Sequence, residues 1–198
     1  MKKKNIIIIG AGGHAEACID LVEKNNTYKV KFVVGTIKEK NKVILGKYRV
    51  IFTDKDLKDL SRKFKYALIG VGQIKSPALR KKIFNNLKNK GFIIPKIISP
   101  HAVISKYSEI GEGTVIMHGS IIGPNVKIGK NCIINSKSLI EHGTSIGNNT
   151  HVATSVTINS GVKIGSNCFV GSNSSIRQLI NIKSGSFVKM CSKITRNV

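Results

Sequence analysis

Two hydrophobic patterns divide the chain. From Ile98 onward an aliphatic residue recurs at every sixth position, through 104, 110, 116, 122, 128, 134, 140, 146, 152, 158, 164, 170, 176, 182, 188 and 194, and all seventeen are Ile or Val. Neither the 3.6-residue period of a helix nor the 2-residue period of a strand accounts for this, whereas a hexapeptide β-helix does. Each hexapeptide is then one face of a triangular prism, and three make a coil of eighteen residues whose aliphatics stack in rows along the axis. The residue after the aliphatic is Gly at 111, 123, 129, 147, 165 and 171, and the residue two before it is small or short at Ala102, Ser108, Thr114, Ser120, Cys132, Ser138, Thr144 and Thr150. With coils rising by one inter-strand spacing of about 4.8 Å, some five coils give a prism on the order of 25 Å tall. The period never breaks, so no loop is expected to interrupt the prism, and the last coil, "VKMCSKITRNV", carries no covering helix.

Residues 1–96 follow another rule. The β-branched run at 6–9 is of the kind a buried parallel strand uses, and "GAGGHAEACIDLVEK" turns from it into an amphipathic helix. Further strands are predicted at 30–34 and 66–69, and helices at 55–62 and 76–89. The alternation predicts a small, doubly wound, Rossmann-like α/β domain over 1–96, followed by an all-β left-handed parallel β-helix over 97–198.

Composition narrows the functions. Apolar content of 41% with 22% charged residues suits a folded chain, but the net charge is +23, with 28 Lys against five Arg. The lysines run from Lys2 to Lys193, Trp is absent and Tyr numbers four. A nucleic-acid binder concentrates its charge and adds Arg and aromatic residues, so no nucleic-acid partner is expected. Attraction for anionic ligands such as coenzyme A or a nucleotide sugar remains. Cys18, Cys132, Cys168 and Cys191 show no zinc-like spacing and no disulfide framework, which predicts no metal and a reducing, cytoplasmic setting. The apolar run near the N-terminus is too short for a signal peptide, and no stretch reaches membrane-spanning length. The hexapeptide register puts Cys132 and Cys168 at the small inward position, as core thiols rather than nucleophiles.

Two features carry candidate chemistry. "GAGGHA" at 10–15 fits G-x-G-x-x-A, in which glycines let the backbone approach a diphosphate at a helix N-terminus. A dinucleotide reader places an acid about twenty residues further on, but "FVVGTIK" offers none before Glu39, which argues against NAD. A tight strand-to-helix turn without a ligand is one reading; a ligand turn, with His14 facing its occupant, is the other. A second glycine turn, "IGVGQ" at 69–73, falls at the same carboxyl edge of the sheet. The second feature is "LIEHGTSIGNNTH". Glu141 and His142 follow Ile140 and should face outward near a prism edge, and His151, preceding Val152, should face outward too; Asn135 lies seven residues before His142. His101 and His118 are read as structural or surface residues.

With "GAGGHA", "GVGQIKSPALRKKIF", "IISPHAVIS" and "NCIINSKSLIEHGTSIGNNTHVATSVTINSGVKIG" in hand, the chain resembles the sialic acid O-acetyltransferases of the NeuD type. Within the hexapeptide-repeat acyltransferases it also resembles the N-acetyltransferases of nucleotide-linked 4-amino-4,6-dideoxy sugars in bacterial glycan and nonulosonic acid pathways. The resemblance implies a homotrimer with active sites between neighbouring prisms, acetyl-CoA as co-substrate, and a nucleotide sugar held by the N-terminal domain. It implies His142 as the base, with Glu141 beside it and Asn135 near the reaction centre. His151, Ser160 and Gly161 would meet the coenzyme, and Gly12, Gly13, His14, Gly35, Gly72 and Gln73 would form the nucleotide-sugar pocket. N-acetylation is preferred; O-acetylation of a sialic-acid-like sugar, or a non-catalytic scaffold role beside a sialic-acid-type synthase, are the alternatives. Three departures accompany the resemblance: Gly143 where many relatives carry an acid after the base, Gly35 and Thr36 where acids end the second strand, and no glycine and proline-alanine tail after Val198. Weaker coenzyme binding is the expected consequence.

Overall fold

The computed structural model describes residues 2–198, which form two compact units. One contains Gln73–Leu79 and Lys96–Val198; the other contains the residues before Gln73 together with Arg80–Pro95.

The N-terminal unit is built on a five-stranded sheet of order β3-β4-β2-β1-β5, made of β1 (Lys4–Ile9), β2 (Tyr28–Gly35), β3 (Val43–Ile44), β4 (Tyr48–Thr53) and β5 (Tyr66–Ile69). All pairs are parallel except β3 with β4. Helices are α1 (Gly13–Lys24), α2 (Leu57–Lys63) and α3 (Ala78–Asn89). The run at 6–9 is buried because β1 is flanked on both sides, by β2 and β5; Ile6, Ile7 and Ile8 are fully inaccessible. Its inward side chains join Val34, Leu57, Leu60, Leu87 and Phe92 in one cluster. The β3–β4 hairpin has no counterpart in the sequence expectations. β3 is the edge strand and β4 pairs with it and with β2; Lys47 and Arg49 blunt the hydrophobic signal, and left-handed turns at Asn41, Leu45 and Gly46 shape the hairpin.

The repeats form seventeen two-residue strands, β6 (Ile97–Ile98) through β22 (Lys193–Ile194), in three parallel sheets of six, six and five strands. Residue i pairs with i+18, as in Ile121 with Leu139 and Ile133 with His151, so each coil is eighteen residues. The architecture is the left-handed parallel β-helix, and no loop breaks it among the described residues. All seventeen periodic aliphatics from Ile98 to Ile194 pack along one core with the short residues between them, and fully burying such a side chain contributes about 1.5–3 kcal/mol.

The short inward residues have a further reason to be polar. Thr114, Ser120, Ser138, Thr144, Thr150 and Ser174 are buried, and each hydroxyl donates to the carbonyl fifteen residues on, in the next coil, at 2.8–3.1 Å. Cys132 and Cys168 make the equivalent thiol contacts to Gly147 and Lys183. These hydroxyls satisfy corner carbonyls that the two-residue strands leave unpaired.

The glycines after the aliphatics are there for stacking. A Cβ on Gly147 would stand 2.5 Å from the Ser166 nitrogen, so the coils could not close. Three residues beyond each aliphatic the chain takes a left-handed turn, with φ between 56° and 79° at every sixth residue from Gly113 to Cys191, ten of the fourteen being Gly or Asn. The glycine and asparagine content of the repeats is therefore the signature of the corners.

Candidate active site

Because the residue before each aliphatic faces out, the three sheets present different surfaces. Face I shows Ile97, Val115, Ile133, His151, Phe169 and Phe187; face II shows Val103, Ile121, Leu139, Thr157, Ser175 and Lys193; face III shows Glu109, Lys127, Ser145, Lys163 and Asn181. His142 lies on the corner between faces II and III, after β13 (Leu139–Ile140), and is exposed. The next coil puts Asn159, Ser160 and Gly161 on the same corner, and the Gly161 amide donates to the His142 carbonyl at 3.0 Å. That bond commits the Gly161 amide to the fold. The Ser160 amide has no partner among the described residues.

Neither the His142 ring nor the Glu141 carboxylate has a hydrogen-bond partner among the described residues. Glu141, although adjacent, therefore does not orient the ring through a hydrogen bond. Gly143 has φ 68° and its amide donates to Pro124 O at 3.0 Å, so this position is a left-handed corner residue. Glycine there answers the backbone, and the departure at Gly143 says nothing against activity.

Asn135 is on the other corner of face II, before β13, with Ser136 N donating to its Oδ1 at 2.9 Å. Asn135 and His142 thus sit at opposite ends of one strand and are not brought together in a single protomer. His118 shares the Asn135 corner, where its Nδ1 meets Ser99 Oγ at 2.6 Å and its ring lies 5.8 Å from that of His101.

His151 does not have the exposure expected of it. It is on the outer side of face I, as its register requires, but is 7% exposed, with Gln73, the first residue of the strap Gln73–Leu79, and Phe169 against it. Its Nδ1 bonds to the Gln73 carbonyl, and the Gln73 side-chain amide donates to Asn149 O at 2.7 Å and Cys168 O at 3.4 Å. Phe169 closes on the ring edge-to-face at 5.2 Å. Gln73 is accordingly an anchor within the repeat unit, where the sequence reading had it in a nucleotide-sugar pocket.

In the N-terminal unit, the two glycine turns adjoin. A Cβ on Gly10 would stand 2.8 Å from Val71, one on Gly70 2.9 Å from Ala15, and one on Gly72 3.6 Å from His14. Gly10 and Gly70 are packing glycines, whereas positions above Gly12 and Gly13 are open, with no atom within 4 Å. No side chain caps α1 at Gly12, leaving its N-terminal dipole available to an anion. Arg80, fully buried, holds the second turn by donating to Ile69 O at 2.9 Å and Val71 O at 2.8 Å. Its charge only partly offsets the effect of burial on Cys18, whose thiol is pushed up to about 12.

Sequence reasoning missed the loop that follows β2. A Cβ on Gly35 would meet Glu39 Oε2 at 3.2 Å, and that oxygen accepts from Thr36 N and Thr36 Oγ1, both at 2.8 Å. A carboxylate therefore does stand at the end of β2, folded back from four residues downstream. Lys42 Nζ donates to Ala11 O at 2.7 Å, inside the first glycine turn. Only Glu39's distance from the motif, and the small residue that makes room for it, could have signalled this. Among the described residues no cluster of three or more His, Cys, Asp or Glu could hold a metal ion, and no helix is long and apolar enough to cross a membrane.

Fold and corners together define a hexapeptide β-helix protein carrying a small α/β domain. Residues 5–87 match the PglD N-terminal domain, and residues 107–142 and 143–178 each match the bacterial transferase hexapeptide (six repeats). The chain thus joins a PglD-type N-terminal domain to bacterial transferase hexapeptide repeats.

Among solved structures it is similar to a histidine-to-asparagine variant of perosamine N-acetyltransferase from Caulobacter crescentus, in complex with CoA and GDP-perosamine. The TM-score is 0.91 at 24% identity, over 98% of this chain and 90% of that one. It is also similar to the acetyltransferase domain of PglB from Neisseria gonorrhoeae in complex with acetyl coenzyme A, with TM-score 0.73, 24% identity, and 100% and 93% covered. WeeI from Acinetobacter baumannii follows the same fold, with TM-score 0.64, 20% identity, and 99% and 93% covered. No curated protein matches the sequence.

Proposed function

We propose that this protein is an acetyl-CoA-dependent N-acetyltransferase of a nucleotide-linked 4-amino-4,6-dideoxy sugar, acting in the cytoplasm in bacterial glycan biosynthesis. The observation that carries the reading is the II/III corner. There an exposed imidazole and an adjacent carboxylate, neither held by a hydrogen bond, sit one coil below an uncommitted Ser160 amide. A surface with only a structural task has no use for that set. Its likeness in fold to acetyltransferases solved with CoA and with GDP-perosamine supports the reading.

In the reaction the amine lone pair adds to the thioester carbonyl, forming the C–N bond, while His142 takes the amine proton. Collapse breaks the C–S bond, and the departing thiolate takes the proton back from the imidazolium. The Ser160 amide is the donor this corner leaves for the developing oxyanion, with Gly161 fixing its place. The N-terminal unit supplies the nucleotide-sugar site at Gly12, Gly13, His14 and Gly72, with Gly35 at the strand end.

The working form in this reading is a homotrimer. Face II supports it: Val103 is 65% exposed and Ile121 45%, and Tyr107 stands on the adjoining corner at 64%. Packing through face II would bring the Asn135 corner of one copy toward the His142 corner of the next, which is how these two residues would share a site.

The test is CoA thiol release from acetyl-CoA with UDP-, GDP- and CMP-linked sugars, each with and without a 4-amino group, on wild type and His142→Ala. Release confined to amino sugars and lost in the variant is expected. Release with hydroxyl acceptors alone transfers the assignment to O-acetylation, and no release with any acceptor from a folded trimer sinks the enzyme reading.

A further inference from the structure

The end of the N-terminal sheet opposite the glycine turns takes no part in the acetyl transfer proposed above. The adjacent parallel strands β4, β2, β1 and β5 begin there, at Tyr48, Tyr28, Lys4 and Tyr66. Between Tyr28 and Tyr48 lies a cavity of about 790 Å³ whose walls carry four lysines, Lys3, Lys29, Lys31 and Lys47, and one acid, Glu23. That acid is already engaged. Lys47 Nζ and Tyr48 OH donate to Glu23 Oε1 at 2.6 and 2.7 Å and hold its carboxyl below the usual range, and Asp20, one turn back on α1, is paired with Lys24. Lys3 sets its ammonium on Asn25 O at 2.8 Å, which leaves it two further donors, and exposed Lys4 and Lys65 carry the charge past the cavity.

The lysines of β2 are placed against the grain of their strand. β2 is central, paired with both β1 and β4, yet Lys29 and Lys31 are exposed. Val30 pairs with Ile6 and Phe32 with Ile7, so Lys31 is the extra residue of a bulge, the device by which a strand re-aims a side chain. The tyrosines are engaged through their rings: Tyr28 and Tyr66 meet edge-to-face at 5.4 Å, Lys4 lies over Tyr66 at 5.6 Å and Lys47 over Tyr48 at 5.1 Å. Rings so held are poor platforms for stacking a nucleobase, and no arginine lines the cavity among the described residues. What remains is a set of ammonium groups flanked by amphipathic rings, the combination suited to the boundary between water and lipid headgroups. We propose that this end of the N-terminal unit docks on an anionic phospholipid surface, with Lys3, Lys29 and Lys31 meeting headgroup phosphates and Tyr28 and Tyr48 lying at headgroup level.

The experiment is flotation of the full chain with vesicles of phosphatidylcholine alone and of phosphatidylcholine and phosphatidylglycerol in equal parts. Wild type should float with the mixed vesicles only, and raising the salt from about 0.1 M to about 1 M should release it, as the Debye length falls from about 10 Å to about 3 Å. Each of Lys3→Gln, Lys29→Gln and Lys31→Gln should weaken vesicle binding about fivefold, and the three together on the order of 100-fold. A triple variant of Lys58→Gln, Lys81→Gln and Lys82→Gln removes the same charge from exposed positions on α2 and α3, and should bind within a few-fold of wild type. All six side chains are exposed, so melting curves should coincide with that of wild type. Wild type that stays unbound, or that floats equally with neutral vesicles, overturns the proposal. Equal losses in the two triple variants reduce the effect to net charge and overturn it too. Binding of a duplex or single-stranded oligonucleotide at a lower phosphate concentration than the mixed vesicles, lost in the Lys3, Lys29 and Lys31 triple variant, gives the surface to nucleic acid instead. Thiol release is scored separately, and its outcome leaves the docking surface untouched.

Discussion

His142 and His151 are nine residues apart in one prism, and both fall on its outer surface by register, yet they have opposite environments. His142 stands on an open corner with its ring unengaged, whereas His151 is bonded to the Gln73 carbonyl of a strap and packed edge-to-face against Phe169. Register decides which way a side chain points. What meets it there is decided by segments far away in sequence. The first imidazole is open for the proton transfer proposed above; the second closes a strap.

The largest expected effect separates the two by activity. His142→Ala should lower turnover by about 10² to 10⁴, the contribution of a positioned general base, with no change in melting temperature. A variant that turns over at the wild-type rate would falsify the base assignment. His151→Ala should do the reverse, keeping turnover within about tenfold while removing a buried hydrogen bond and its packing, a loss of about 1–3 kcal/mol in denaturant unfolding. Because Lys75 is exposed within the strap, trypsin offers a second readout. Cleavage after Lys75 should accelerate in His151→Ala and in Gln73→Ala and stay unchanged in His142→Ala. If His151→Ala kills activity with the strap still protected, the ring belongs to the coenzyme site after all.

The same contrast explains what was legible beforehand. The prism could be read residue by residue because its signal is local and strictly periodic; the aliphatic rows, the inward thiols of Cys132 and Cys168 and the corner position of His142 all follow from counting in sixes. The hydroxyl rungs from Thr114 to Ser174 were visible only as "small", since their purpose is a carbonyl fifteen residues away. Contacts made over long separations were out of reach: Gln73 on His151 spans 78 residues, and Lys42 on Ala11 spans 31. Glu39 was dismissed because a motif counts positions along an extended strand, and this acid arrives by folding back. The β3 strand of the hairpin escaped because a two-residue edge strand shows no period at all.

The smallest effect tests whether the open corner is shaped for its backbone or for its chemistry. Gly143 follows His142 in the position where every sixth residue turns left-handed, and a Cβ there would find its nearest neighbour, Gly161, 3.9 Å away. Space is therefore ample and only the dihedral objects. Gly143→Ala should cost about 1–2 kcal/mol of stability, the penalty of a left-handed L-residue. Gly143→Asn should cost clearly less, because asparagine tolerates this region and already fills the same corner position at 125, 131, 149, 167 and 173. Both variants should keep turnover within a few-fold of wild type, measured by thiol release alongside the melting curve. A large loss of turnover in Gly143→Asn with stability retained would mean that the missing side chain leaves room for substrate, and the corner would then be as much a pocket wall as a turn.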